Sequence, residues 1–313
     1  VAAGALMASG AAQADVKLGG SAVNITPNGT YNGSNKNVGV NSVVVGYQNT
    51  ASGEDGTIAY GANNTANFEA ALAVGNNNQA TNLNAVAIGT STVASGDSSI
   101  AIGKLTEATQ IRATAVGNRA TATQDSASAY GNRANASAQF ATAIGDNSHA
   151  SAAAVAVGTH ANASHQDSIA IGRNASGAWT NAIAVGKDTV ASQDHALAMA
   201  TEAKAIGVQS VAIGSYSNAS ADSVVALGQK AKAGGEVPAG ATKGPGTAAV
   251  AVGFESNASA ASTVAVGKSS KASSNNAVAV GVQSETKGRN GVGVGAYSEA
   301  TAGRSTAVGT LAQ

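Results

Sequence analysis

Cysteine is absent from the 313 residues, which excludes disulfides, thiolate metal sites and cysteine nucleophiles. Aromatic residues make up only 3% of the chain and charged residues 11%. A globular domain of this length fills a thick core with Leu, Phe and Trp. Here the apolar fraction of 43% is mainly Ala and Val, so the core is thin and the fold elongated. An excess of either charge is also missing: 17 basic residues face 17 acidic ones, leaving no field to gather nucleic acid or anionic lipid. Beyond the N-terminus no stretch approaches the ~20 apolar residues of a membrane helix. Disorder is the weaker reading, because Val and Ile recur at fixed intervals.

The first fourteen residues, Val1 to Ala14, are small and apolar and end in Ala12-Gln13-Ala14. They read as the end of a secretory signal peptide whose basic start is not in the sequence. Residues 15–37 read as an N-terminal cap segment, and 38–313 as one repetitive head.

That head is built on a period of fourteen. Ala85-Val86-Ala87-Ile88-Gly89 returns as Ser99-Ile100-Ala101-Ile102-Gly103, and the closing glycine recurs at Gly117, Gly131 and Gly145. After a thirteen-residue step it continues from Gly158 to Gly309, with Ala200 standing in once. Gly46, Gly61 and Gly75 lie upstream in the same register, giving about nineteen coils. Gly228 and Gly253 are separated by 25 residues, eleven more than the period. The excess, near 234–247, is rich in Gly and Pro and reads as a loop insertion.

Each coil holds two alternating segments. Val or Ile stands one and three residues before the glycine, with Ala between, as in Val264-Ala265-Val266; a β-branched, period-two run closed by Gly is a strand. Small residues follow three and five positions after the glycine, with a variable one between, as in Ala134-Asn135-Ala136. This predicts a second strand with its small residues inward and its variable residue in solvent. Two strands and two turns make one coil of a parallel β-solenoid. The glycine marks a turn that needs positive φ or close coil-to-coil approach. Both faces of the first strand are non-polar, yet a coil has one interior, so the other face should meet a second chain. The row of Ala is the expected oligomer face, because it allows close approach. Val86, Ala87, Ile88, Val211, Ala212, Ile213, Val264, Ala265 and Val266 are the representative core and interface residues.

Repeats such as Asn84-Ala85-Val86-Ala87-Ile88-Gly89 and Ser210-Val211-Ala212-Ile213-Gly214 resemble the head repeat of trimeric autotransporter adhesins, the Yersinia adhesin A family. The resemblance covers about residues 38 to 313. It implies a left-handed parallel β-roll, packed as a homotrimer and displayed on the Gram-negative outer membrane. The stalk and β-barrel anchor of that family have no counterpart in this sequence, which reads as an excised head. The implied partners are host extracellular-matrix protein, collagen-like among others, or a cell receptor, with autoaggregation as a further role.

Chemistry is hard to find. His149, His160, His165 and His195, with Asp167 and Asp194 nearby, form no spaced ligand set, and no phosphate loop or catalytic serine elbow stands out. No cofactor and no metal are implied, and the chain does not read as an enzyme. Candidate partner-binding residues are the exposed aromatic and charged side chains of the lattice. Arg119 and Arg133 share one turn position on successive coils, Tyr216 and Tyr297 share it further on, and Tyr47 and Phe254 directly follow their glycines. Glu236 and Lys243 lie in the insertion. An ice-binding or purely structural spacer solenoid is the alternative.

Overall fold

The computed structural model describes residues 23–25, 36–37, 42–53, 55–235 and 247–313. The signal-like stretch 1–14, most of the cap segment, Glu236 and Lys243 lie outside them. The chain divides into two units, Val1–Ala141 and Thr142–Gln313. Among the described residues all regular structure is β, in short strands paired in parallel.

The fourteen-residue period becomes the strand register. In the first unit Ile100–Lys104 pairs with Thr114–Asn118, setting Ala101 against Ala115 and Gly103 against Gly117. The second strands stack likewise, Glu107 against Thr121 and Ala108 against Ala122. One further rung precedes these: Val23–Ile25 pairs with Val43–Val45, and Lys36–Asn37 with Thr50–Ala51. In the second unit the same ladders run from Thr142–Ile144 to Thr306–Val308. Val225 pairs directly with Val250 and Lys232 with Asn257, so the strands on either side of the eleven-residue excess keep the ladder continuous.

The two faces of the first strand are the reverse of the expected arrangement. Ala87, Ala212 and Ala265 are fully buried inside their coils, while the flanking Val and Ile point outward and stay partly exposed, Ile102 and Ile213 at 36% each. Volume decides it. The second strand also presents Ala to the interior, as at Ala94, Ala108 and Ala122. Two facing rows of methyl groups fill the roll, and larger side chains there would force the sheets apart.

Turns repeat every seven residues. Two positions after the glycine and five before it, non-glycine residues adopt left-handed φ: Ser91 and Ser98, Leu105 and Arg112, Arg119 and Ser126 all lie between 54° and 57°. In the turn from Gly158 to Ala161 the Ala161 amide donates to the Gly158 carbonyl at 3.2 Å. His160, the third residue of that turn, has φ 56°, as a type II turn requires. The strand glycines have φ between 115° and 143°, and a Cβ on Gly89 would overlap the carbonyl oxygen of Gly103 on the next coil. Both reasons for glycine therefore apply at once. Ala200 takes the position at φ 89°.

All three departures from fourteen fall in the turn that follows the second strand. The fifteen-residue step from Gly46 to Gly61 carries its extra residue after Thr50–Ala51, and the eleven-residue excess follows Lys232–Ala233. The thirteen-residue step loses a residue after His149–Ala150. There Ala152 and Ala153 are both left-handed, φ 43° and 58°, and Ala154 N–H bonds to the Ser151 carbonyl at 2.8 Å, a type I′ turn in place of type II.

Polar inward residues stand beside turns, where a carbonyl can take their proton. Ser148 donates to Gly145 at 3.0 Å, Thr189 to Gly186 at 2.8 Å and Ser168 to His165 at 2.7 Å. In the first unit Asn49, Asn64 and Asn78 form a buried ladder. Asn64 Nδ2 donates to Asn49 Oδ1 at 3.0 Å, Asn78 Nδ2 to Asn64 Oδ1 at 2.9 Å, and Thr92 Oγ1 closes it at 2.7 Å. Each amide also reaches a glycine carbonyl of the next coil, as Asn64 does with Gly75 at 2.8 Å, so no member leaves a buried group unpaired.

One interior exchange tests the volume rule. Gly293 replaces the usual inward Ala, and a Cβ there would lie 2.8 Å from Thr286 Oγ1 and 3.3 Å from Ser284 Oγ. Thr286 in turn replaces an inward Ala of the second strand and is fully buried. The larger residue fills what the smaller one vacates. Gly293→Ala alone is expected to lose about 1–3 kcal/mol by overpacking, and adding Thr286→Ala to recover most of it. Urea unfolding of the two single variants and the double variant checks this; additive losses would sink the compensation.

Candidate binding surface

Each coil presents two outward strand faces of opposite character. The first strand's outer face is mostly aliphatic, with Thr114 and Ser128 in the first unit and Thr142 and Thr306 in the second as polar exceptions, and it carries Tyr60 and Tyr130 in the first unit and Met199 in the second. The second strand's outer face is mostly polar: Thr50, Glu107 and Asn135 in the first unit, His149, Lys204 and Glu299 in the second, with Val93 and Val190 as aliphatic exceptions. Of the representative core and interface residues, Ala87, Ala212 and Ala265 form the interior. Val86, Ile88, Val211, Ile213, Val264 and Val266 form the outward aliphatic face.

The candidate partner residues sit on turns, but not in one cluster. Arg119 and Arg133 occupy one turn position on successive coils of the first unit, both with left-handed backbone, and neither pairs with a carboxylate among the described residues. Lys104 precedes them, its carbonyl accepting from Arg119 N–H at 2.8 Å. Tyr47 lies in the same unit, half-exposed, several coils away. In the second unit Tyr216 and Tyr297 are exposed at 49% and 53%. Phe254 lies between them in sequence, with Lys230 Nζ 5.8 Å from its ring centroid and Glu255 holding the same ammonium at 3.1 Å.

One pair escaped sequence reasoning. His165 and Trp179 stand fourteen residues apart, at the same turn position on successive coils, and stack with ring centroids 5.4 Å apart at 9°. Ser164 Oγ lies 3.2 Å from His165 Nδ1. Trp179 thus rests on a neighbouring ring while remaining 42% exposed. The spacing of fourteen was the available signal. The structure brings no other histidine into this pair, and among the described residues no group of three His, Cys, Asp or Glu could hold a metal ion.

Surface charges pair along the ladders. Lys287 lies between Glu285 at 3.1 Å and Glu299 at 3.3 Å; the bonds to Glu285 and then Glu299 raise its pKa above the ordinary lysine value. Asn174 Nδ2 donates to Asp188 Oδ1 at 2.7 Å. That bond, with Lys187 at 3.3 Å as a smaller influence, lowers the Asp188 pKa.

A parallel solenoid of fourteen-residue coils with a fixed glycine column and an Ala interior defines a class of repeat protein. The family model of the YadA head domain repeat matches residues 38–64, 80–106, 108–134, 136–154, 152–175, 180–199, 205–231, 245–270, 258–284 and 287–312. The chain belongs to the YadA head family, whose members are bacterial surface adhesins. No curated protein matches the chain.

Because its folded pKa is lowered, Asp188 contributes stability above the ordinary carboxylate range and loses it as pH falls through the folded value. Asn174→Ala should therefore raise the Asp188 pKa toward the ordinary value. NMR titration of the side-chain carboxyl reads this directly, and an unchanged midpoint would refute the Asn174 bond as the cause.

Proposed function

We propose that this chain is the head of a trimeric autotransporter adhesin, in which three left-handed rolls pack around a threefold axis through their outward aliphatic columns. The observation that carries the reading is the largely apolar outer face of the first strand. Parallel strands with two apolar faces are ordinarily covered on both. The interior Ala rows cover one, and a further copy of the same chain, carrying the same columns in the same register, is the natural cover for the other. The polar second-strand faces and the variable turns then form the outside of the assembly. There they bind extracellular-matrix protein, collagen-like among others, or a cell receptor, or mediate autoaggregation. The head acts by binding and not by catalysis, held at the Gram-negative outer membrane by the stalk and anchor characteristic of such adhesins.

Light scattering behind size exclusion should return three times the chain mass. Ile102→Lys with Ile213→Lys should yield folded single chains, because a charge on an outward column is tolerated by the coil but not by a covered interface. Ala101→Lys, pointing inward, should unfold the chain instead. A wild-type head that stays monomeric even with a trimeric coiled coil fused to its C-terminus would overturn the trimer. Beads coated with the wild-type head should adhere to a panel of matrix proteins or to one another, and the monomeric variant should lose this through lost multivalency.

A further inference from the structure

In the second unit, the outward position of the second strand carries lysine on alternate coils over one run of five. Lys204, Lys232 and Lys271 alternate there with Asn218 and Asn257. The register is residue on residue: Lys204 against Asn218, Asn218 against Lys232, Lys232 against Asn257, and Asn257 against Lys271. These five residues therefore lie in one line across five parallel strands, and an inter-strand spacing of about 4.8 Å sets successive lysines about 9.6 Å apart.

All three lysines are exposed, and none pairs with a carboxylate among the described residues. Three other lysines of the same unit do: Lys187 with Asp188, Lys230 with Glu255, and Lys287 with Glu285. Lys268, also exposed, adds a fourth unpaired cation three residues before Lys271. The line ends at Glu285, the next rung after Lys271, whose carboxylate is already held by Lys287 at 3.1 Å.

We infer that this row is a binding ridge for an extended sulfated polysaccharide. The separation is close to one Debye length, about 8–10 Å in physiological salt. The ammonium groups therefore repel one another weakly, while each attracts an anionic group laid along the row. A linear polysaccharide bearing an anionic substituent on each repeat presents its charges in such a line. The Asn amides between the lysines offer donors and acceptors to sugar hydroxyls. Single-stranded nucleic acid would need aromatic platforms for its bases, and the second-strand outward column of this unit has no Phe, Tyr or Trp. The ridge lies on the polar face of the roll, so it stays in solvent when the aliphatic face is covered. The inference rests on the adhesin-head reading and names its ligand class.

The test uses the full chain on immobilised heparin, with desulfated heparin and single-stranded DNA of matched charge as comparisons. A variant carrying Lys204→Gln, Lys232→Gln and Lys271→Gln should lose on the order of tenfold or more in affinity. Its slope of log affinity against log salt should fall by about two, as expected for three lost anion contacts. A control with Lys104→Gln, Arg112→Gln and Arg304→Gln removes the same charge from exposed positions off the row and should bind heparin as the wild type does. Equal losses in both variants would reduce the effect to net charge and overturn the ridge. Equal affinity for DNA or for desulfated heparin would also overturn it. A head that ignores heparin yet adheres to matrix protein overturns the ridge and leaves the adhesin reading standing, whereas a head that adheres to nothing overturns both.

Discussion

Within each unit, coils hydrogen-bond to the next at every strand, in parallel and in register, so each residue sits directly on its counterpart fourteen positions away. This stacking sets the terms for every other choice in the chain. A methyl group on a strand glycine such as Gly89 would meet the carbonyl of the next coil, and the one Ala in the column, Ala200, shifts its φ to 89°. The interior cannot widen at one coil without parting the coils beside it, which is why Ala recurs there and why Gly293 and Thr286 change size in opposite directions. The turns must close within a few residues, so non-glycine side chains accept left-handed backbone at a cost of roughly 1 kcal/mol or more each. Hydrogen bonds between successive coils offset that cost turn after turn.

Stacking also converts single residues into columns. A buried Asn alone in an Ala interior would leave its amide wanting partners; three in successive coils satisfy one another and the glycine carbonyls beside them. A surface lysine alone is a solvated charge, whereas lysines on alternate rungs form a ruler with a fixed interval. The aliphatic residues of the first strand follow the same logic: each is an ordinary half-exposed side chain, and their repetition within each unit makes a largely apolar face.

The period, the two strands and the inward small residues of the second strand were legible in the sequence, because the glycine column and the alternation of small with variable residues mark them without ambiguity. The orientation of the first strand was not. In Val264-Ala265-Val266 both faces are apolar, and a period of two cannot say which points inward. Side-chain volume settles it, and the composition argument for a thin core, applied to this strand, points the same way. The seven-residue half-period was hidden because its left-handed positions accept Ser, Arg, Leu or Asn alike. The His165–Trp179 stack was legible in principle from its spacing of fourteen. The lysine row was obscured: Lys204 and Lys232 are 28 residues apart, but Lys232 and Lys271 are separated by 39, since the eleven-residue excess intervenes. Glu236 and Lys243 in that excess, and the signal-like start, rest on sequence alone.

That every change of length falls in the turn after the second strand has a consequence for how such a chain can vary over generations. A codon gained or lost inside a strand would exchange inward and outward residues along the rest of that strand. The permissive turn absorbs one residue lost by changing turn type, one gained after Thr50–Ala51, and eleven gained after Lys232–Ala233, while the rungs beyond resume their register. Mutation can therefore rewrite this one turn freely without renegotiating the fold that carries it.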